Sequence, residues 1–212
     1  MMTAKDIYNA VLNFSGGNLQ CICLLHRPCQ GGFCADQQKL SVIDFDAVKT
    51  KWNKQKGMAS SASVDALVCG KVHLCFVELK GWTEFLKHHG LDRSEEMTEK
   101  EKEKAHKVID KQVGKYKLQK KLLDSVMICE DISGQKDILN SNPIAFLWVT
   151  DISLKEAPLQ HFHQQLMMLA YTSTSWEKVC AEQMKKILDE QISCIHSVFV
   201  ECKDFDRSGL NL

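Results

Sequence analysis

Glu78-Leu79-Lys80 ends an apolar run, Val72 to Leu79 (VHLCFVEL). Alternate residues of a strand share a face, so Glu78 and Lys80 project together where such a strand leaves the core. A carboxylate and an ammonium there need a reason, because burying charge is costly unless it is paired or metal-bound. Asp65 stands thirteen positions earlier, on a second apolar run, Val64 to Cys69. A tight turn at Gly70-Lys71 folds the two runs into a hairpin and brings Asp65 near Leu74 to Glu78. Two carboxylates from adjacent strands make a hard-oxygen site suited to Mg2+ or Mn2+. Lys80 beside them can orient a water, help to deprotonate it and stabilise charge developing on a phosphate. These residue types point to metal-assisted phosphodiester hydrolysis.

The elements that must position these groups follow from periodicity. Residues 3 to 14 predict a short helix behind a Thr3 cap, with Ile7, Tyr8, Val11 and Leu12 on one face and Gly16-Gly17 ending it. Strands are expected at 19 to 25 and 40 to 45, with a polar helical turn through Trp52 and a Gly/Ser-rich connector from Gly57 to Ser63. The hairpin follows. Residues 92 to 106 are nearly all charged, and 105 to 128 read as one amphipathic helix. Residues 131 to 142 read as a loop. A strand at Ile144 to Thr150, helices from about 158 and at 175 to 192, and a strand at 195 to 202 complete the chain, before a polar tail from Lys203. The fold class is α/β (α+β), a mixed central sheet flanked by helices, in a single domain spanning 1–212. Its core covers about 3–150, and a helix-strand extension covers about 151–212.

Asp65, then Glu78-x-Lys80 after twelve intervening residues, on a hairpin followed by a helix, resembles the PD-(D/E)xK nuclease superfamily. The resemblance implies a restriction-endonuclease-like core of order α-β-β-β-α-β. It implies Asp65 and Glu78 as ligands of Mg2+ or Mn2+ and Lys80 as the catalytic lysine. The family often adds an upstream acid, for which Asp44 or Asp46 is the candidate. Its RecB-like branch carries Gln-x-x-x-Tyr on the following helix, and Gln112-Val-Gly-Lys-Tyr116 has that spacing, although the stretch from Lys80 to Gln112 is longer than usual there. Val64 stands where the motif has proline. The resemblance further implies DNA as the nucleic acid, a role in defence or mobile-element biology, and a homodimer that cuts both strands.

Glu201-Cys202-Lys203 also ends an apolar strand, but a helix precedes it and no hairpin aspartate accompanies it, so it reads as a strand running into the tail. Cys21, Cys23, Cys29 and Cys34, with His26 among them, lack a standard zinc spacing. Alternation in Cys21-Ile22-Cys23 predicts both thiols on one strand face, suited to a metal or a core. His161-Phe162-His163 lacks a nearby third ligand, and His88-His89 suits a helix end. Nine lysines lie between 100 and 121. Lys107, Lys111 and Lys115 step by four, which predicts one stripe on a helix beside the site, able to contact a phosphate backbone.

Basic and acidic residues balance at 27 each, which argues against coating nucleic acid by bulk charge but allows a local basic groove. No apolar run approaches the roughly 18 to 20 residues of a membrane span, and the first ten residues lack a signal-peptide core. The expected compartment is the cytoplasm, where the ten cysteines stay reduced. The alternative function is a catalytically inactive binding module on the same fold, docking a partner through its cysteine-rich front end.

Overall fold

The two most continuous apolar runs become two adjacent interior strands of a six-stranded sheet. In the computed structural model, which describes residues 2–25, 40–58, 60–92, 97–152, 175–193 and 195–206, β4 (Leu74–Lys80) and β5 (Ile144–Thr150) lie parallel, with Phe76 opposite Phe146 and Glu78 opposite Trp148. Runs of this kind form where both faces of a strand are covered. Before them come α1 (Ala4–Ser15), β1 (Leu19–Cys21), the single-turn α2 (Ile22–Leu25), β2 (Ser41–Asp44), α3 (Phe45–Lys56) and β3 (Ala66–Cys69). Between β4 and β5 run α4 (Thr83–His88), α5 (Glu99–Val113), α6 (Leu118–Ser133) and the short α7 (Ile138–Ser141). After β5 come α8 (Trp176–Gln191) and β6 (His196–Glu201). Strands follow chain order across the sheet, antiparallel from β1 to β4 and parallel from β4 to β6.

One sheet face carries Ile43, Leu67, Leu74, Phe76, Phe146 and Trp148. It packs against Ile7 and Val11 of α1, Trp52 of α3, Ile109 of α5, Leu122 and Val126 of α6, and Met184 of α8. The opposite face, with Val68, Val77, Leu79, Leu147 and Val200, is covered in part by Ile22 and Phe205. Each fully buried Leu or Phe contributes roughly 1.5–3 kcal/mol, a surplus that lets the same sheet tolerate a buried charge. Glu78 and Lys80 belong to the helix-covered face, in line with Leu74 and Phe76. Among the described residues no helix is long and apolar enough to cross a membrane.

Several elements differ from their sequence expectation. The strand expected at 19 to 25 stops at Cys21, and the chain turns helical at Ile22, so Cys21 and Cys23 do not alternate along one strand. Cys29, Cys34, His26, His161, His163 and the helix expected from about 158 lie outside the described residues. The hairpin closes through four residues, Gly70 to His73, and not through a Gly70-Lys71 pair. Cys69 pairs with Leu74, Gly70 donates to the His73 carbonyl at 2.9 Å, and Gly70 has no positive φ. The helix expected over 105 to 128 is two helices. Gly114, with a helix cost of roughly 1 kcal/mol relative to alanine, follows α5, and Lys117 leaves helical geometry at φ −106°, ψ 63°. Helix α6 then continues to Ser133, into the region expected as loop, where Gly134 adopts the left-handed φ of 73°. The tail after Lys203 is anchored: Phe205 is fully buried, and Asp206 accepts from the Leu40 N–H at 3.0 Å.

The connector before β3 is strapped across α6. The Ala62 N–H donates to Asp124 at 2.8 Å and the Val64 N–H to Ser125 Oγ at 3.0 Å. Ser125 is fully buried and donates to the Lys121 carbonyl at 2.7 Å. Its hydroxyl is thus the pin between α6 and the residue preceding Asp65. Ser125→Ala is expected to orphan the Val64 N–H and lower unfolding free energy by about 1–3 kcal/mol, measured by urea denaturation.

Candidate active site

Asp65 is the residue at which the β3 side of the hairpin leaves the ladder. Its N–H donates to the Val77 carbonyl and its carbonyl accepts from Phe45 N–H, each at 3.0 Å. One step further the chain has turned toward α6, so the Leu79 N–H meets no strand carbonyl there. The Asp65 carboxylate takes its place, with Oδ2 accepting from Leu79 N–H at 2.6 Å. Strand departure and side-chain substitution together fix Asp65 beside the end of β4. The expected approach of Asp65 to Glu78 is realised through the pairing of Ala66 with Val77.

Glu78 is fully buried, yet both its oxygens accept from Lys121 Nζ, Oε1 at 2.7 Å and Oε2 at 2.8 Å. Lys121 Nζ also lies 3.9 Å from Asp65 Oδ1, and Lys80 Nζ lies 3.6 Å from Glu78 Oε1. Burial, then the negative charge of Asp65, pushes the Glu78 carboxyl up to about 7, against the pull of Lys121 and Lys80. Burial draws Lys121 down, but Glu78 and Asp65 outweigh it and hold the ammonium above its ordinary value. The centre is two carboxylates and two ammoniums. Sequence reasoning placed Lys121 on the lysine-rich helix without assigning it to the site. Its spacing in the sequence did not set it apart from Lys120.

Lys80 is held from the other side by Tyr116, whose ring centroid lies 5.2 Å from Nζ, within cation–π range. Tyr116 stands edge-on to Trp148 at 5.5 Å and to Trp82 at 6.4 Å. Burial pushes its phenol up to about 12, so the hydroxyl stays protonated. Gln112 Nε2 lies 3.5 Å from that hydroxyl. The Gln112 and Tyr116 pair thus reaches the site across the end of α5, with Tyr116 in the turn between α5 and α6. Two further groups escaped sequence reasoning. Gln191, at the end of α8, accepts from the Leu118 N–H and donates to the Tyr116 carbonyl, tying the start of α6 to Tyr116. Asp151, buried just beyond β5, accepts from the Trp82 and Thr83 N–H groups at 2.6 and 3.2 Å and so fixes the chain leaving Lys80.

The two upstream acids separate in role. Asp44 caps α3, accepting from the Ala47 N–H at 2.9 Å, and takes a second bond from Gln20 Nε2 at 3.0 Å. Asp46, in the first turn of α3, accepts from Ser63 Oγ at 2.6 Å and pairs with Lys49. Burial alone would raise it, but these bonds and the charge of Lys121 hold it below the ordinary carboxylate range. Asp46 therefore borders the site, whereas Asp44 supports the start of α3. On α5, Lys107 and Lys111 are exposed one turn apart. Lys115 lies beyond the end of that helix, its Nζ 3.1 Å from Gln112 Oε1, so the three-lysine helical stripe stops at two. Glu201 pairs in register with Thr150 and forms an ion pair with Lys203 at the far side of β5.

Among the described residues no group of three or more His, Cys, Asp or Glu side chains converges as a metal cage. Asp65 and Glu78 are the two carboxylates nearest the Lys121 ammonium. Mg2+ keeps several waters and is commonly bound through one or two carboxylates plus substrate phosphates, so this sparse oxygen set suits it. The ammonium of Lys121 stands in as the cation between the two carboxylates, which marks the position as one that favours positive charge.

The direction of the Glu78 shift has a consequence for stability. The folded state holds a proton on Glu78 above pH 4.5, where the unfolded chain releases it, so stability is lost as pH rises from about 4.5 to about 7. In metal-free buffer, Glu78→Gln is expected to remove that part of the pH dependence. It should gain on wild type across the window by on the order of 3 kcal/mol, measured by denaturant unfolding at stepped pH. Parallel pH profiles for the two proteins would reject the assignment.

No protein-family model, curated protein or solved structure matches this chain, so its site is read from its own geometry.

Proposed function

We propose that the chain is a divalent-metal-dependent nuclease with the restriction-endonuclease-like core of the PD-(D/E)xK superfamily. The observation that carries this reading is the meeting of Asp65 and Glu78 around a cation position, with Lys80 on the same strand face as Glu78 and partly open to solvent. The succession α1, β2, β3, β4, α6, β5, antiparallel through β4 and then parallel, supports the core order α-β-β-β-α-β.

Asp65 and Glu78 would hold the ion. A bound Mg2+ or Mn2+ supplies Lewis-acid polarisation of a phosphoryl oxygen. The remaining chemistry belongs to the chain. Leu79 N–H orients the Asp65 carboxylate. Tyr116 and Glu78 restrain Lys80, whose ammonium orients the attacking water and stabilises charge on the phosphate. Lys107 and Lys111 attract the polymer, with Lys115 at the adjoining turn. DNA is the expected polymer because the family mostly acts on it, and self-association would place two sites on opposite strands.

The second reading, a catalytically inactive binding module, has one observation in its favour: a lysine of the chain itself occupies the cation position. Divalent-ion titration separates the two. The nuclease reading expects Mn2+ binding, lost in Asp65→Ala and Glu78→Ala, and DNA cleavage reduced roughly 100-fold or more by either change or by Lys80→Ala. Wild-type cleavage by folded Glu78→Ala protein rejects it. Changing Lys107, Lys111 and Lys115 together to Glu is expected to weaken DNA binding at low salt while Mn2+ binding persists. For each phosphate no longer neutralised by a lysine, the slope of log affinity against log salt should fall by about 0.7–0.9, read by fluorescence anisotropy across a salt series.

A further inference from the structure

We infer that Lys121 is a resident counter-cation that a divalent ion must displace, so that this one side chain sets the metal affinity of the site. The inference rests on the nuclease reading and extends it to a residue outside the Asp65, Glu78, Lys80 set.

The ammonium sits on Glu78, bonded to both its oxygens, with Asp65 Oδ1 3.9 Å away. An ion using those carboxylates competes for the same oxygens and is repelled by a cation left among them. A fully buried Glu78 that is ionised and stripped of its counter-charge would carry a large desolvation penalty, so while it is ionised a cation must stand beside it. Lys121 fills that need when metal is absent. The exchange also has a route. The Lys121 side chain is 27% exposed, and the charge of Asp46 already acts on it. Rotation about its flexible stem carries the ammonium toward Asp46 and solvent while the Lys121 N–H keeps its 2.9 Å helix bond to the Lys117 carbonyl. The backbone of α6 need not move. Lys80 is not placed for this part, since its ammonium lies 3.6 Å from Glu78 Oε1, farther than Lys121, and is held over Tyr116.

The test measures metal binding and side-chain exposure, not cleavage. Mn2+ affinity is determined by calorimetry on wild type and on Lys121→Gln, with folding checked by circular dichroism. The neutral variant should bind Mn2+ roughly tenfold tighter or more, within the usual range of coupling between competing ligands. In parallel, wild-type protein is acetylated on its amines with and without Mn2+, and Lys121 modification is read by peptide mass spectrometry. Displacement should raise Lys121 labelling severalfold while Lys107 and Lys111 stay constant. This second arm decides the matter on native protein if Lys121→Gln does not fold. Mn2+ binding by wild type with unchanged Lys121 labelling, or equal affinity in the folded variant, overturns the inference and leaves the nuclease reading standing. No Mn2+ binding by either protein overturns both.

Discussion

Glu78 is an ionisable group at the centre of a sheet, with no access to water, and much of the surrounding architecture follows from the need to balance it. Its neighbours along β4 are Val77 and Leu79, and across the sheet it faces Trp148. In such a place a carboxylate either keeps its proton or acquires cations at hydrogen-bond distance. Here two ammoniums serve: Lys80, from its own strand, as an ion pair at 3.6 Å, and Lys121, from a helix forty-three residues on, at hydrogen-bond distance. The second requires α6 to pack with that position facing the sheet, and the buried positions Leu118, Leu122, Ser125, Val126 and Cys129 achieve this.

A charge centre of this kind works only if its members cannot drift, and each is held by a group remote in sequence. Ser125 holds the backbone before Asp65, Leu79 N–H holds its carboxylate, Tyr116 limits Lys80, and Asp151 fixes the chain after it. Gln191 joins α8 to the turn that carries Tyr116. These contacts come from the backbone and from side chains of α6, α8, β5 and the turn between α5 and α6. Rigid elements thus support the site from several sides. Mutual dependence also follows, since removing one partner leaves a buried charge or a buried donor without its complement.

The aromatic group around Lys80 serves position and polarity together. Tyr116 lies against the Lys80 ammonium and is itself backed edge-on by Trp82 and Trp148, while the Lys80 side chain remains partly open. The lysine thus combines a partly covered stem with a cationic tip open to solvent. Cys129 and Cys180 are buried in the helix-covered core, and Cys75 in the core on the opposite face of the sheet. Burial raises their thiols, Cys75 and Cys180 to about 12, which makes them packing residues and not nucleophiles.

Local patterns already carried much of this architecture. The continuous apolar runs determined β4 and β5, because only a strand covered on both faces reads that way. Alternation put Glu78 and Lys80 on one face, and the hairpin spacing brought Asp65 to them. The start and end of α1 were legible because Thr3 and Gly16 satisfy backbone groups that any helix leaves open. What the sequence could not determine was whatever depends on partners distant along the chain. Gly114 did not by itself announce two helices, since the break is completed at Lys117 and stabilised by Gln191 from α8. Asp44 and Asp46 looked equivalent as upstream acids until helix capping used one and left the other beside the site. Lys121 was one of nine lysines in a charged segment, and sequence spacing gave it no distinction from Lys120. Only the packing of α6 against β4 turned Lys121 toward the buried carboxylate and left Lys120 outside, because rotation by one residue on a helix is a change of face of about 100°.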